Sequence, residues 1–572
     1  MRFPISLLPF FLLAFAFSSC NKEEYRSDPA GSPVTVTFAG RITDDFGAPL
    51  SGASVEAGAS SAVTDANGVF FLAPATLPSR NAILTVKHSG FFDFSRAYLV
   101  HDKGLQSVNI QLLKRQVTQT FDAAQGATIQ SGDVRIEFKA NSIATAGGSA
   151  YSGTVNVYAR YLDPEDTNLS RRMPGDLRGL DASGETRTLT TYGMIGVELA
   201  TPGGDPLQLA DGYEATITLP IPAGQQTAAP AEIPLWHFDL STARWIEEGS
   251  AQRSGDQYVG KVRHFTFWNF DTGAPAVHLS GRAVIGNDQK PLDGALVQLT
   301  IPSSGYTSFA FTDANGNFGG FVPQGEVMQL DVIVYGACAN QTLYTQTVGP
   351  FNQDAILPLL VLSGANLQVF TLSGRLLNCN QQAVEKGYVL ASSPSSASII
   401  FTAPDGTFEK TLINCNPGEG VSITGYDFTA QQKSELLTFP DIVADIQTGD
   451  IPVCIQTTDE FATVIFNGVT YTFTAPFYTN YSDAFDTNIS KSGDTNFLII
   501  FSGFEKTGPS TLQWLSVTNA GGTLLSSHHG TNTITHYGAV GDYISGYFSG
   551  TAQAPDGQTY PVSGVYQVIR DL

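Results

Sequence analysis

The sequence predicts an all-β protein assembled from several small modules. A tight turn recurs with similar neighbours at three places: residues 64–70 read TDANGVF, residues 312–318 read TDANGNF, and residues 403–408 read APDGTF. Asp, Asn and Gly accept the left-handed backbone of such turns, so each motif predicts a β-hairpin. The 572 residues include 57 glycines and only 14% charged residues, which is typical of many short strands. A chain of this length needs several cores, so several domains are expected.

The net charge of −22 limits the classes of partner. Binding to DNA or RNA needs clustered Lys and Arg that neutralise phosphates, and we expect no nucleic-acid partner for so acidic a chain. Solubility is the simplest explanation of the acidity.

The first nineteen residues predict a signal peptide. Arg2 precedes an apolar run from residue 5 to residue 17, and Ser18 and Ser19 lead to Cys20. The run is short for a membrane span. Residues 17–20 resemble a bacterial lipobox, although Phe17 departs from the usual Leu. The resemblance implies cleavage before Cys20 and lipidation of that residue; ordinary secretion is the alternative.

The segment after Cys20 predicts the cellular location of the protein. Residues 21–24, NKEE, resemble the export signal of surface lipoproteins in Bacteroidetes-type bacteria. This resemblance implies an outer-membrane protein that is held by its N-terminal lipid and exposed at the cell surface. A plain charged tether is the alternative. Residues 20–33 include Pro, Gly and Ser and are predicted to form a flexible tether.

Three stretches share a longer pattern around the repeated turn. In residues 34–114 it begins with Gly40-Arg41 and Pro49-Leu50, and residues 276–364 repeat it. Residues 365–456 carry a weaker copy, in which Ala383-Val384 replaces Pro-Leu. The pattern resembles the regulatory-like domain of zinc carboxypeptidases, which implies three Ig-like, transthyretin-like β-sandwiches. The catalytic domain of that family has no counterpart here, so peptidase activity does not transfer.

Residues 115–275 predict a larger central β domain. Its alternating strands and its motifs at residues 233–239 and 264–269 resemble the extracellular β region of cartilage intermediate layer proteins. Trp236, Trp245 and Trp268 are candidates for a platform on which sugar rings stack. Packing inside the core is the alternative for these aromatic residues.

Residues 457–572 predict a C-terminal β domain. Residues 461–473 form a hairpin pattern around Asn467-Gly468, and residues 562–569 read as a closing strand. The run GDYxxGxFxG at residues 541–550 resembles the C-terminal domains of other Bacteroidetes lipoproteins.

Four cysteines remain once Cys20 is set aside: Cys338, Cys379, Cys415 and Cys454. An even number in an exported protein favours disulfides, and four cysteines allow three pairings. Alternating strand direction favours Cys379–Cys454 and Cys338–Cys415, while free buried thiols are the alternative.

An acidic loop is the candidate metal site. Asp163, Glu165 and Asp166 supply carboxylates of the kind that calcium prefers, although no EF-hand spacing is present. Turn chemistry alone is the alternative. We expect no other cofactor.

The sequence predicts a non-catalytic protein. It contains none of the nucleophile-elbow, zinc-protease, P-loop or dinucleotide motifs. We expect a cell-surface binding or adhesion scaffold for glycan or protein, in which tandem sandwiches form a stalk. The alternatives are a structural or assembly subunit of an outer-membrane complex, and a hydrolase with an unrecognised carboxylate site.

Overall fold

The structure is a computed structural model. It describes residues 31–334, 341–363, 368–394, 396–414, 416, 418–430, 432–456 and 460–571, except for short gaps at 467–468, 475–476, 482–485, 493–494, 503–506, 520–521, 538–542 and 556. The predicted signal peptide, Cys20 and the NKEE segment lie outside the described residues. No helix in the described part of the chain has the length and apolar character needed to cross a membrane.

The first repeat is a sandwich of two four-stranded sheets. β1 pairs with β4 and β5 along one edge and runs parallel to β8 along the other, while β2, β3, β6 and β7 form the facing sheet. The strands are β1 Pro33–Asp44, β2 Ser54–Ala57, β3 Ser60–Val63, β4 Val69–Phe71, β5 Ala75–Pro78, β6 Ala82–Lys87, β7 Phe94–Tyr98 and β8 Gly104–Leu112.

The central domain is antiparallel except for one short parallel pairing, between β14 and β19. It also holds a single helical turn, α1 Leu169–Arg172, and a 3₁₀ turn at Ala223–Gln225. Its strands are β9 Gln119–Asp122, β10 Ala127–Ser131, β11 Val134–Phe138, β12 Ile143–Thr145, β13 Thr154–Leu162, β14 Arg178–Leu180, β15 Thr186–Ala200, β16 Pro206–Leu209, β17 Ala215–Pro220, β18 Glu232–Asp239, β19 Arg244–Ser254, β20 Gln257–Val262 and β21 Phe267–Ile285.

Strand β21 joins the central domain to the second repeat. Its first half pairs with β15 and β18, and its second half becomes the central strand of the next sandwich. The predicted boundary at residue 275 therefore falls inside one continuous strand, without a linker. The second repeat adds β22 Lys290–Pro291, β23 Leu296–Ile301, β24 Tyr306–Phe311, β25 Asn317–Pro323, β26 Met328–Ile333, β27 Thr342–Val348, β28 Ala355–Ile356 and β29 Leu360–Leu362.

The third repeat has the same plan. β30 lies between antiparallel β33 and parallel β37, and the facing sheet is built on β31 and β34. Its strands are β30 Gln368–Asn378, β31 Gly387–Ser393, β32 Ser396–Phe401, β33 Thr407–Asn414, β34 Val421–Asp427, β35 Gln432–Lys433, β36 Leu437–Phe439, β37 Ile446–Val453 and β38 Ile455–Gln456.

The three repeats share contacts as well as sequence. The Gly of each Gly-Arg pair stands opposite the Phe that ends the turn: Gly40 with Phe70, Gly281 with Phe318, and Gly374 with Phe408. In each repeat one threonine hydroxyl before the turn accepts a 2.8 Å hydrogen bond from a backbone N–H. These hydroxyls belong to Thr64, Thr312 and Thr402.

In its described residues, the C-terminal domain is one antiparallel sheet of nine strands. The predicted hairpin is confirmed by the pairing of β39 with β40, although its tip at residues 467–468 lies outside the described residues. The strands are β39 Phe461–Phe466, β40 Val469–Thr474, β41 Tyr478–Tyr481, β42 Asp486–Lys491, β43 Thr495–Ser502, β44 Gly508–Asn519, β45 Gly522–Tyr537, β46 Tyr543–Gln553 and β47 Thr559–Ile569. One face of this sheet forms a separate apolar core.

The prediction of an all-β protein is confirmed, but the prediction that the tandem sandwiches form a stalk is wrong. Each repeat, the central domain and the C-terminal sheet has its own buried apolar cluster. A sixth cluster lies between the first repeat and the central domain, where Phe92 and Leu113 pack against Met173 and Trp245. The first repeat also contacts both later repeats, so the modules do not form a row in which each touches only its neighbours in sequence.

Candidate functional site

The three predicted tryptophans lie in the core. Trp236, Trp245 and Trp268 are 1%, 0% and 0% exposed. The indole N–H of Trp236 donates to the carbonyl oxygen of Asp271 at 3.1 Å, and that of Trp268 donates to the carbonyl oxygen of His264 at 3.0 Å. The structure corrects the hypothesis of a sugar-stacking platform, because none of these ring faces is open to solvent.

The acidic loop does not form a cation cage. Asp163 Oδ1 accepts a hydrogen bond from the Glu165 amide at 2.9 Å, and Asp166 Oδ2 pairs with the Arg172 guanidinium at 2.7 Å. Among the described residues, the only group of three potential metal ligands whose donor atoms lie within 4.8 Å of one another lies elsewhere. The structure therefore corrects the calcium prediction: Asp163 shapes the turn and Asp166 is engaged in an ion pair.

One of the two favoured disulfides is present. Cys379 follows β30 and Cys454 follows β37, and because these strands are parallel neighbours their ends meet, with the two Cα atoms 5.2 Å apart. Cys338 and Cys415, the other favoured pair, lie outside the described residues.

A groove opens where the three repeats meet. It encloses about 510 Å³, within the usual range of ligand sites. The outer face of β1 and β8 forms one wall, the segment around residue 293 forms the second, and β31 to β33 form the third. We call this the inter-repeat groove and define it by Arg41, Asn109, Asp293, Phe311, Phe401 and Lys410.

An ion pair joins two walls of the groove, and a hydrogen bond within the first repeat fixes an arginine in the remaining wall. Lys410 of the third repeat donates to Asp293 Oδ2 of the second at 2.6 Å, with about 14% and 15% of the side chains exposed. Arg41 Nε donates to the carbonyl oxygen of Asn67 at 3.0 Å. Burial lowers the pKa of the Arg41 guanidinium, and the nearby Tyr388 and Asp65 oppose this shift. The groove therefore has polar walls at fixed positions.

The repeated turn itself makes a contact between repeats. The Tyr388 hydroxyl of the third repeat donates to Asp65 Oδ2 at 2.6 Å and accepts from Asn67 Nδ2 at 2.8 Å. Burial raises the pKa of Asp65, and the hydrogen bond from Tyr388 opposes the shift. Burial together with the Asp65 charge raises the pKa of Tyr388 well above its ordinary value. The tip of this turn is thus a docking contact.

The second turn docks in the same manner. Asp313 Oδ2 lies 3.4 Å from His101 Nδ1 of the first repeat. Burial alone would raise the pKa of Asp313, but hydrogen bonds from His101 and Asn317 hold it below its ordinary value. The same hydrogen bond raises the pKa of His101. The third turn, at Asp405, remains at the surface.

The groove residues were missed by sequence reasoning. Arg41 and Lys410 are 369 positions apart in the chain, and nothing in either neighbourhood indicates that they share a cavity. The only signal was the recurrence of the turn, which showed that three similar modules exist but not that they pack together.

Comparison with curated proteins shows a partial, distant similarity to cartilage intermediate layer proteins. The chain is 29% identical to cartilage intermediate layer protein 2 of Mus musculus over 227 residues, which is 37% of this chain and 19% of that protein. The Homo sapiens protein is 29% identical over 156 residues, 26% of this chain and 13% of its own length. The chain therefore spans less than a fifth of the length of these relatives. No protein-family model matches it.

Solved structures give only weak superpositions. A streptococcal ancillary pilin is 10% identical and covers 39% of this chain and 92% of its own, with a TM-score of 0.13. The TIE protein of Bacillus anthracis is 9% identical and covers 66% and 70%, with a TM-score of 0.15. Superpositions at these scores carry no argument, and the all-β assignment rests on the strands described above.

Proposed function

We propose that this protein is a non-catalytic binding scaffold at the cell surface, and that a glycan chain occupies the inter-repeat groove. The main support for this proposal is the groove itself, whose three walls come from three repeats. The contacts Lys410–Asp293 and Tyr388–Asp65 hold these repeats at fixed positions. The walls combine amide and hydroxyl groups, such as those of Asn109 and Ser398, with the apolar surface of Phe401. Hydroxyl-rich ligands are recognised by such fixed polar groups beside apolar faces.

The same proposal includes a lipid anchor at the N-terminus and a location at the cell surface. The resemblance of residues 17–20 to a lipobox and of residues 21–24 to a surface-export signal supports a lipid-held protein that faces the exterior. The three regulatory-like repeats and the region similar to cartilage intermediate layer proteins are compatible with an extracellular role. Labelling intact cells with a membrane-impermeant reagent, and mass spectrometry of the N-terminal peptide, would test surface exposure and the modification of Cys20.

The character of the groove favours binding over catalysis. Among the described residues, Asp293 is the only carboxylate that lines it, and this carboxylate is paired with Lys410. Glycoside hydrolysis normally uses two carboxylates, one on each side of the bond that is cleaved. Incubating the protein with any glycan that it binds, and analysing the products, should show no cleavage.

The binding test uses thermal shift and a glycan array with two matched variants. Asn109 is exposed on β8 within the groove, and Asn109→Trp should fill the space and abolish binding. Gln208 is exposed on β16 of the central domain, and Gln208→Ala should bind like the wild type. Equal binding by both variants, or no binding by the wild type, would reject the groove as a glycan site.

An assembly role is the second candidate, and a different surface favours it. Ile356, Leu359 and Val361 are 83%, 39% and 42% exposed around β28 and β29. Each of these strands pairs with β21 alone among the described strands, which leaves an apolar strand edge of the kind that joins subunits. Crosslinking on cells should capture a partner that Ile356→Lys with Val361→Lys releases, whereas the glycan proposal predicts no effect of these changes.

A further inference from the structure

Two histidines and one glutamate gather on one face of the central domain. His237 lies on β18, Glu248 lies on β19, and His264 lies just before β21. Glu248 Oε2 is 3.2 Å from His264 Nε2 and 3.7 Å from His237 Nε2, and the two imidazole rings are 4.7 Å apart. One donor atom from each side chain therefore lies within 4.8 Å of the donor atoms of the other two.

The strand register explains the convergence. His237 stands opposite Ile246 in the β18–β19 pair, and Glu248 lies two residues further along β19. Residues that stand opposite each other share a face, so His237 and Ile246 lie on one face of the sheet. The pair shifts register next to Glu248, and the 3.7 Å contact between Glu248 Oε2 and His237 Nε2 places Glu248 beside them. Glu247, which precedes Glu248 on the same strand, points the other way and accepts a hydrogen bond from the Ala182 amide.

Hydrogen bonds to and near its backbone fix the position of His264, the third residue of the group. The indole of Trp268 donates to the His264 carbonyl oxygen at 3.0 Å, and the Thr266 hydroxyl donates to the Phe238 carbonyl oxygen at 3.0 Å. The ring of Trp268, which is fully buried, also lies 5.0 Å from the His264 ring and 5.7 Å from the His237 ring. The site thus rests on a packed base and not on a free loop.

We propose that His237, Glu248 and His264 bind a divalent transition-metal ion. Zinc lies about 2.1 Å from imidazole nitrogen and carboxylate oxygen, so two ligands of a tetrahedral ion stand about 3.4 Å apart. The 3.2 Å and 3.7 Å separations lie on either side of that value. Two imidazoles with one carboxylate suit Zn²⁺ or Fe²⁺, whereas Ca²⁺ and Mg²⁺ prefer oxygen ligands alone.

The surroundings leave room for a further ligand. The side chains of His237, Glu248 and His264 are 22%, 40% and 40% exposed, so the ion would face solvent on one side. Three protein ligands leave at least one coordination position of the ion open. Water, or a donor atom of a bound partner, would take that position.

The test is to titrate the full-length, tag-free chain in detergent with metal ions and to measure the binding by calorimetry. We expect one equivalent of Zn²⁺ per chain, and d–d absorption of tetrahedral type when Co²⁺ replaces zinc. A parallel anaerobic titration with Fe²⁺ decides which metal binds more tightly, and Ca²⁺ and Mg²⁺ should give no binding at this site. His237→Ala and Glu248→Gln should each weaken Zn²⁺ binding at least tenfold.

Two variants serve as matched controls. Glu247→Gln alters the neighbouring carboxylate on the opposite face of β19, and His278→Ala removes a histidine on the second-repeat half of β21; both should bind Zn²⁺ like the wild type. Circular dichroism confirms the fold of every variant. If the double variant His237→Ala with His264→Ala folds and keeps the full stoichiometry and affinity, or if the folded wild type binds no transition metal, the proposal is wrong.

Discussion

At the scale of single residues, the glycine of the Gly-Arg pair in the second and third repeats lies against an aromatic ring that leaves no room for a side chain. A Cβ added at Gly281 would lie 2.6 Å from Phe318 Cζ, and one at Gly374 would lie 2.8 Å from Phe408 Cζ. Both phenylalanines are buried and close the turn motif onto the central strand of the sandwich. The spacing between the Gly-Arg pair and the turn thus reflects one packing contact that the second and third repeats share.

This contact predicts opposite effects at two glycines of one sheet. Gly281→Ala should lower the free energy of unfolding of the second repeat by about 1–3 kcal/mol, because the new methyl group overpacks a closed core. Gly320 on β25 has nothing within 4 Å of an added Cβ. Gly320→Ala should therefore be neutral or stabilise by up to about 1 kcal/mol. Calorimetry of the two variants measures the difference, and equal destabilisation would contradict the packing explanation.

A buried carboxyl group makes the central domain sensitive to pH. Asp271 is 0% exposed on β21, and burial raises its pKa well above the ordinary value, although contacts with Thr191 and the Tyr192 amide oppose the shift. A group whose pKa is higher in the folded state binds its proton more tightly there. The stability of the domain should therefore fall as pH rises from about 4 through the native pKa of Asp271.

Asp271→Asn isolates this effect. The amide has nearly the same shape and does not ionise, so the variant should lose the contribution of Asp271 to the decline. Its melting temperature relative to the wild type should rise between pH 4 and pH 8, by an amount equivalent to about 1.4 kcal/mol for each unit by which the native pKa is raised. Parallel pH profiles for the two proteins would show that Asp271 keeps an ordinary pKa.

At the scale of elements, the turns make contacts that their sequence does not reveal. Each Asp in the first two turns accepts hydrogen bonds from backbone N–H groups two and four residues later, as Asx chemistry requires. The second oxygen of that carboxylate then reaches another repeat, at Tyr388 for Asp65 and at His101 for Asp313. One short motif therefore both closes its hairpin and joins modules.

Tyr388→Phe tests the stronger of these contacts. Removing the hydroxyl leaves the buried Asp65 carboxylate and the Asn67 amide without that partner, so we expect a loss of about 1–3 kcal/mol in the free energy of unfolding. Tyr478 is 60% exposed, and Tyr478→Phe should change stability by less than about 0.5 kcal/mol. Equal effects of the two changes would mean that the turn does not rely on Tyr388.

Local chemistry was predictable from the sequence, and long-range placement was not. The hairpin turns follow from Asp, Asn and Gly, and strand direction led to Cys379–Cys454, because both depend on rules within one module. The metal-binding candidates were missed, since His237 and Glu248 lie on separate strands, His264 lies in the segment before β21, and the three meet only in the folded domain. The burial of Trp236 was undecided for the same reason: an aromatic residue on a strand fits either face until the opposing layer is known.

At the scale of the whole molecule, the first repeat acts as the hub. Its β7 region packs on the central domain, where the Arg96 guanidinium donates to the carbonyl oxygens of Met173 and Gly175 at 2.6 Å and 2.8 Å. Its turn contacts the third repeat, and His101 contacts the second. The C-terminal sheet reaches it through Tyr547, whose ring lies 5.4 Å from the His88 ring. A hub of this kind explains how a groove can be assembled from parts that are distant in sequence.

The Lys410–Asp293 pair should be the most sensitive link in that assembly. Both side chains are largely buried between the second and third repeats, and Lys410 also donates to the Ile399 carbonyl oxygen at 3.3 Å. Removing one partner of a buried ion pair strands the other charge, so Lys410→Met should cost about 3–5 kcal/mol. Replacing both partners, as Lys410→Met with Asp293→Leu, should recover most of that loss because no unpaired charge remains.

Calorimetry of the wild type, the two single variants and the double variant completes the cycle. If the pair joins the repeats, each single variant should separate the melting of the second and third repeats into distinct transitions, and the double variant should bring them together again. Loss of coupling between the repeats should also weaken any ligand that the inter-repeat groove binds. Additive effects of the two single changes would contradict this account, since additivity is expected of residues that do not interact.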